Sequence, residues 1–134
     1  MEPLVDLPPL LQGIFFDFRW ETSKVWALST PASAVPFSEL AWHLELPVRS
    51  ARPKLSLFDL SPATVLANPD VYTGHWDKIL NADLAYPLEL FRNGARWVVL
   101  DGYHRLARAK LERVARIPVR LHPDEVKSRI LRDT

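Results

Sequence analysis

Proline placement constrains this chain more than any other feature. Nine of the 12 prolines lie in residues 1–69. A helix interior loses a hydrogen bond and meets a ring clash at proline, so that half is expected as strands, turns and extended segments. Ile14 to Trp20 reads as a strand with Phe16, Phe18 and Trp20 on one face and Asp17 and Arg19 on the other. Lys24–Leu28 is expected to pair with it across Glu21-Thr22-Ser23. Trp42, Leu44 and Leu46 alternate with His43 and Glu45, a third strand period that Pro47 stops. A short helix fits Phe37–Leu40. Trp20, Trp26 and Trp42 are expected in the core; an exposed one would mark a partner surface or a nucleobase platform.

The second half changes character. Ser61 before Pro62 is a capping serine followed by proline at the first helical position, opening a helix to about Ala67. Thr73 is placed to cap a second helix through about Asn81, which turns Trp76, Ile79 and Leu80 inward. Leu88–Phe91 and Arg96–Leu100 flank Asn93-Gly94, a hairpin signature. A helix from about Tyr103 to Arg113 carries Tyr103, Leu106, Ala107, Leu111 and Val114 as its apolar stripe. Ile117–Leu121 reads as a strand, and Pro123 with Asp124 and Glu125 opens a terminal helix. The expected fold is therefore α+β: a small mixed sheet with helices in one domain. The strand–helix–strand unit from Val98 to Leu121 is expected as a right-handed parallel crossover.

The formal net charge is +1, and the chain has no cysteine. Disulfides, thiolate metal sites and a cysteine nucleophile are excluded. No apolar run reaches the roughly 18 residues of a membrane span, and the acidic N-terminus lacks the basic region of a secretory signal. A cytoplasmic protein is expected. The small net charge hides a division. Residues 92–132 hold eleven Lys and Arg against four Asp and Glu, while the rest holds six against twelve. One end is suited to meet negative charge.

The chemistry gathers in Val98-Val99-Leu100-Asp101-Gly102-Tyr103-His104-Arg105-Leu106-Ala107. An apolar strand ends in Asp-Gly and turns at once into a helix. The N–H groups of that first turn and the positive end of the helix dipole make an anion site. Gly102 lets the backbone approach a phosphate, His104 and Arg105 supply donors, and Arg108 lies one turn on from His104. Asp101 has four readings: helix cap, orienting partner of His104, magnesium ligand, or base toward a substrate hydroxyl. His75 lies at the start of a helix, as a surface residue or within reach of the phosphate site. Asp77 and Asp83 read as a helix-face charge and a turn residue. The four histidines lack the close spacing of a zinc site.

Asp101-Gly102-Tyr103-His104-Arg105-Leu106-Ala107, then Ala109 and Ile117-Pro118-Val119, resemble the ParB/sulfiredoxin-like superfamily, as does Ala85-Tyr86-Pro87-Leu88-Glu89-Leu90 upstream. The resemblance covers residues 57–122; residues 1–56 form an extension and 123–134 the terminal helix. It implies binding of ATP or CTP with magnesium. Gly102, Tyr103, His104, Arg105 and Arg108 would contact the nucleotide, Asp101 would hold the metal, and Asp101 with His104 would act in any phosphoryl transfer. Sulfiredoxins carry Gly-Cys-His-Arg, and Tyr103 stands where their catalytic cysteine would be, so sulfinic acid reduction is not expected. The superfamily's free-serine kinases carry Asp-Gly-His-His-Arg, matched here at Asp101, Gly102, His104 and Arg105; their substrate-binding glutamate has no assigned counterpart. A ParB-type DNA clamp would need further domains after the last core strand and is not expected. The alternative reading is a non-catalytic module that binds nucleic acid or a protein through the basic half. Residues 1–56 are expected to add strands that cover a sheet edge or build a homodimer interface.

Overall fold

In the computed structural model, the structure describes residues 11, 14, 20–48 and 59–132. Four strands form one mixed sheet in the order β1-β4-β2-β3: β1 (Ser33–Pro36), β2 (Leu88–Asn93), β3 (Arg96–Asp101) and β4 (Arg116–His122). Among the described residues four α-helices accompany it: α1 (Thr22–Trp26), α2 (Pro62–Ala67), α3 (Thr73–Leu80) and α4 (Tyr103–Leu111). The fold is α+β, and no helix among the described residues is long and apolar enough to cross a membrane.

β2 and β3 form the expected hairpin, with Asn93 opposite Arg96 and Gly94 supplying φ +66° in the turn. Here glycine is required because other residues reach positive φ only with strain. A bulge then shifts the register: Leu90 faces Val99, but Glu89 faces Asp101. An unbroken ladder would have put Leu100 opposite Glu89. The bulge sets two carboxylates side by side, one use that bulges serve beside functional sites.

The expected parallel crossover is corrected. β3 and β4 are not neighbours; β2 lies between them, antiparallel to β3 and parallel to β4. The helix after β3 therefore returns the chain to the far side of its hairpin partner. β1 runs antiparallel along the outer edge of β4, so the extension covers a sheet edge. The core is continuous. Leu88, Leu90, Phe91, Val98, Val99, Ile117 and Val119 from the sheet and Leu106, Ala107 and Ala109 from α4 are all essentially inaccessible. Each large side chain among them contributes roughly 1.5–3 kcal/mol on burial.

Two expected strands are helical. Lys24–Leu28 lies mostly in α1, and Trp42–Leu46 mostly in a 3-10 helix at Ala41–Glu45. In the second, Leu40, His43 and Leu46 are all buried, three residues apart. That is the three-residue turn of a 3-10 helix, which a five-residue alternation does not distinguish from a strand. Phe37–Glu39 is a 3-10 turn, close to the expected short helix. Of the Ile14–Trp20 strand, 15–19 lie outside the described residues, and Trp20 bridges Leu131. The terminal helix is a 3-10 helix, Asp124–Ile130, anchored by buried Ile130.

α2 begins as its sequence predicts: Ser61 Oγ accepts from the Thr64 N–H at 3.2 Å, with Pro62 following. Thr73 does not cap α3; Tyr72 holds that position without a side-chain bond. Ile79 points inward, whereas Leu80 and Leu111 are exposed, each at the end of its helix.

Candidate functional site

The expected turn exists. Asp101 ends β3, Gly102 takes φ +115°, and α4 starts at Tyr103. A Cβ at residue 102 would lie 2.8 Å from Leu88 Cγ and 3.3 Å from Leu88 Cα, so glycine is required by both dihedral and space. Gly102 is itself the N-cap, and no side chain caps the helix. The capping reading of Asp101 is thereby corrected: an αL glycine already occupies the position.

Asp101 instead makes an ion pair. Its Oδ2 accepts from Arg105 at 3.0 Å and from the indole N–H of Trp26 at 2.8 Å. Arg105 also donates to the carbonyl of Pro87 at 2.7 Å. Arg105 thus ties α4 to the segment entering β2. Two further expectations change. The Tyr103 hydroxyl reaches back to donate to Val99 O at 2.8 Å, which places the ring in the core; only its backbone is left to contact a phosphate. Arg108 donates to Leu80 O and Glu112, bracing α3 against α4, and does not line the cleft described below.

The turn opens into a cleft of about 710 Å³ lined by Gly102, Tyr103, His104 and Arg105 together with Lys78, Asp83, Tyr86, Trp26, Glu89, Asp101 and Arg120. Asp83 is the expected turn residue, its Oδ1 accepting from Ala85 N–H at 2.9 Å. His75 is outside the lining, but its ring centroid lies 6.0 Å from that of His104 with planes 28° apart.

Beneath the cleft is a charged network that sequence reasoning missed. Glu89 is 3% exposed and accepts from Arg120 Nε at 2.6 and 3.1 Å and from His122 Nε2 at 2.8 Å. His122 Nδ1 lies 2.7 Å from the Thr30 hydroxyl, and its ring stacks on Phe91 at 4.7 Å. Arg120 then donates to the carbonyls of Val25, Leu28 and Thr30. Those carbonyls lie at and beyond the C-terminal end of α1, and the Val25 carbonyl is shared with the Leu28 N–H at 3.1 Å. One guanidinium therefore neutralises a buried carboxylate and fastens the N-terminal extension to the sheet. The available signal was a charge in each apolar strand: Glu89 among Leu88, Leu90 and Phe91, and Arg120 between Val119 and Leu121. Nothing local marked Trp26, which joins the site from 75 residues away.

Among the described residues no three His, Cys, Asp or Glu side chains are grouped to hold a metal ion. Magnesium bound with a nucleotide needs less, commonly one or two carboxylates with the phosphates and water completing the shell. Asp101 fits that demand. Both of its hydrogen bonds fall on Oδ2, and Oδ1 accepts none among the described residues. Comparison with family models, curated proteins and solved structures returns no match to this chain.

Proposed function

We propose that this protein binds the phosphates of a nucleoside triphosphate, ATP or CTP, at the first turn of α4, with magnesium entering alongside the nucleotide. The observation that carries the reading is the convergence in one cleft of Lys78, His104 and Arg105 around a backbone turn that admits only glycine. Cations from α3 and α4 meet there beside a helix N-terminus, an arrangement suited to phosphate oxygens. Asp101 serves as the counter-ion of Arg105 before a ligand arrives. A phosphate would then compete for Arg105, and Asp101 would hold the magnesium ion that enters with the nucleotide, whose positive charge would offset the repulsion between carboxylate and phosphate. A phosphoryl transfer at this site would draw on Asp101 as base and on His104 and Arg105 to neutralise phosphate charge.

Calorimetry and thermal shift with ATP, CTP, GTP, tripolyphosphate and short DNA, each with and without magnesium, test the reading. A ligand at 100 times its Kd adds about 2.7 kcal/mol of stability. Lys78→Ala should weaken tripolyphosphate binding by about 1.5 kcal/mol, roughly tenfold, and leave the unliganded midpoint unchanged. Asp101→Asn should tighten tripolyphosphate binding without magnesium and abolish the magnesium-dependent gain. Tighter binding under both conditions would remove the metal and base roles of Asp101. A shift with DNA alone, declining steeply with salt, would replace the reading with a nucleic-acid module.

A further inference from the structure

We infer that the mouth of this cleft is a stacking site for the base of the nucleotide, built by Trp26 and Tyr86. The inference rests on the phosphate reading above and names the part of the ligand that the charged residues do not recognise. Trp26 is 61% exposed and Tyr86 64% exposed, and they are the exposed aromatics among the described residues. Both line this cleft; the exposed aliphatic side chains Val71, Leu80 and Leu111 do not. Exposed aromatic area without a partner is unfavourable in water, and its confinement to the rim of a charged cleft points to a ligand with an aromatic face at one end and anionic groups at the other.

The Trp26 ring and the backbone at Tyr86 are set by the residues that form the phosphate end. The indole N–H of Trp26 is bonded to Asp101, which holds the ring by its edge while most of the side chain stays exposed. The backbone beneath it is fixed at Val25 O and Leu28 O by Arg120. Tyr86 closes a turn in which its N–H donates to Asp83 O at 3.3 Å, and the next residue, Pro87, gives its carbonyl to Arg105. A ring positioned in advance loses less freedom when a base settles on it. Stacking on an aromatic tolerates any base because every base has a π-face, so ATP, CTP and GTP should differ little at this contact.

The test is calorimetry on the full chain with ATP, CTP and tripolyphosphate, for wild type, Trp26→Ala, Trp26→Phe and Tyr86→Ala. Both nucleotides should bind wild type more tightly than tripolyphosphate. Each alanine variant should lose roughly tenfold in nucleotide affinity, a stacking contact's usual worth. Trp26→Phe should recover most of its loss. Tripolyphosphate affinity should be the same in Tyr86→Ala as in wild type, and equal in the two Trp26 variants, which both lack the bond to Asp101. Tyr86 makes no side-chain hydrogen bond among the described residues, so Tyr86→Ala keeps the test open if substituting Trp26 disturbs the fold. Nucleotides binding no better than tripolyphosphate, or alanine variants weakening both ligands equally, would overturn the stacking site while leaving the phosphate site standing. Binding of neither would overturn both.

Discussion

His43 shows how far one side chain's surroundings can depart from its sequence context. Its place in an alternating run puts it with Glu45 on a polar face, yet it is fully buried. Its Nδ1 donates to Leu40 O at 2.9 Å, and its Nε2 accepts from the Val99 N–H at 3.1 Å on the outer edge of β3. Only a neutral imidazole can do both. Burial, with help from nearby Arg96 and against the Leu40 carbonyl, lowers its pKa to about 4. In the unfolded chain the ring binds a proton near pH 6.5. Unfolding therefore takes up a proton as the pH falls, and the contribution is intact above pH 6.5 and lost toward pH 4. The loss is on the order of 3 kcal/mol. Urea unfolding of wild type and His43→Gln from pH 7 to pH 4 should show wild type losing more by that amount. Parallel curves would mean that His43 is not held neutral.

The ends of α4 show the same tension at the level of an element. Its N-terminus carries the glycine that the geometry demands, but its C-terminus does not. Arg113 takes φ +55°, donates its N–H to Lys110 O, and is followed by a Val114 N–H to Ala109 O bond. These two bonds define a Schellman motif, whose left-handed position usually belongs to glycine. A side chain there costs about 1 kcal/mol. Arg113→Gly should raise stability by about that amount, read as a higher urea midpoint with unchanged slope. A loss would show that the arginine side chain contributes contacts that outweigh the backbone strain. The local signals at Ser61-Pro62 and Asn93-Gly94 were legible because each is completed within a few residues, by the Thr64 N–H and by φ +66° at Gly94. The segments 24–28 and 42–46 were not, since a five-residue pattern fits either period and tertiary burial chooses between them.

For the whole molecule, Arg120 is the joint. It links β4, buried Glu89 and three carbonyls of the N-terminal segment, with only 13% of its side chain exposed. Removing one member of a buried pair leaves the other charge without compensation, which costs about 3–5 kcal/mol. Arg120→Ala should be destabilised by about 3 kcal/mol, the lower end because His122 still contacts Glu89. Hydrogen exchange should speed up first in residues 22–30. Uniform loss of protection across the sheet instead would make the network a core element rather than the attachment of α1. The extension is thus part of the site: it brings Trp26 to Asp101, and Arg120 holds it there.

The amino-acid sequence alone determined the hairpin at Asn93-Gly94, the cap at Ser61, the α+β class and the strand–Gly102–helix turn, because each follows from contacts within a few residues or from the period of apolar side chains. It did not determine that Trp26 joins Asp101, that Glu89 and Arg120 pair, or that β2 separates β3 from β4. Those depend on pairings between residues tens of positions apart: Glu89 with Arg120, Trp26 with Asp101 and His43 with Val99. A buried charge or polar edge must find its partner wherever the fold brings one. Only the tertiary structure decided which partner that was.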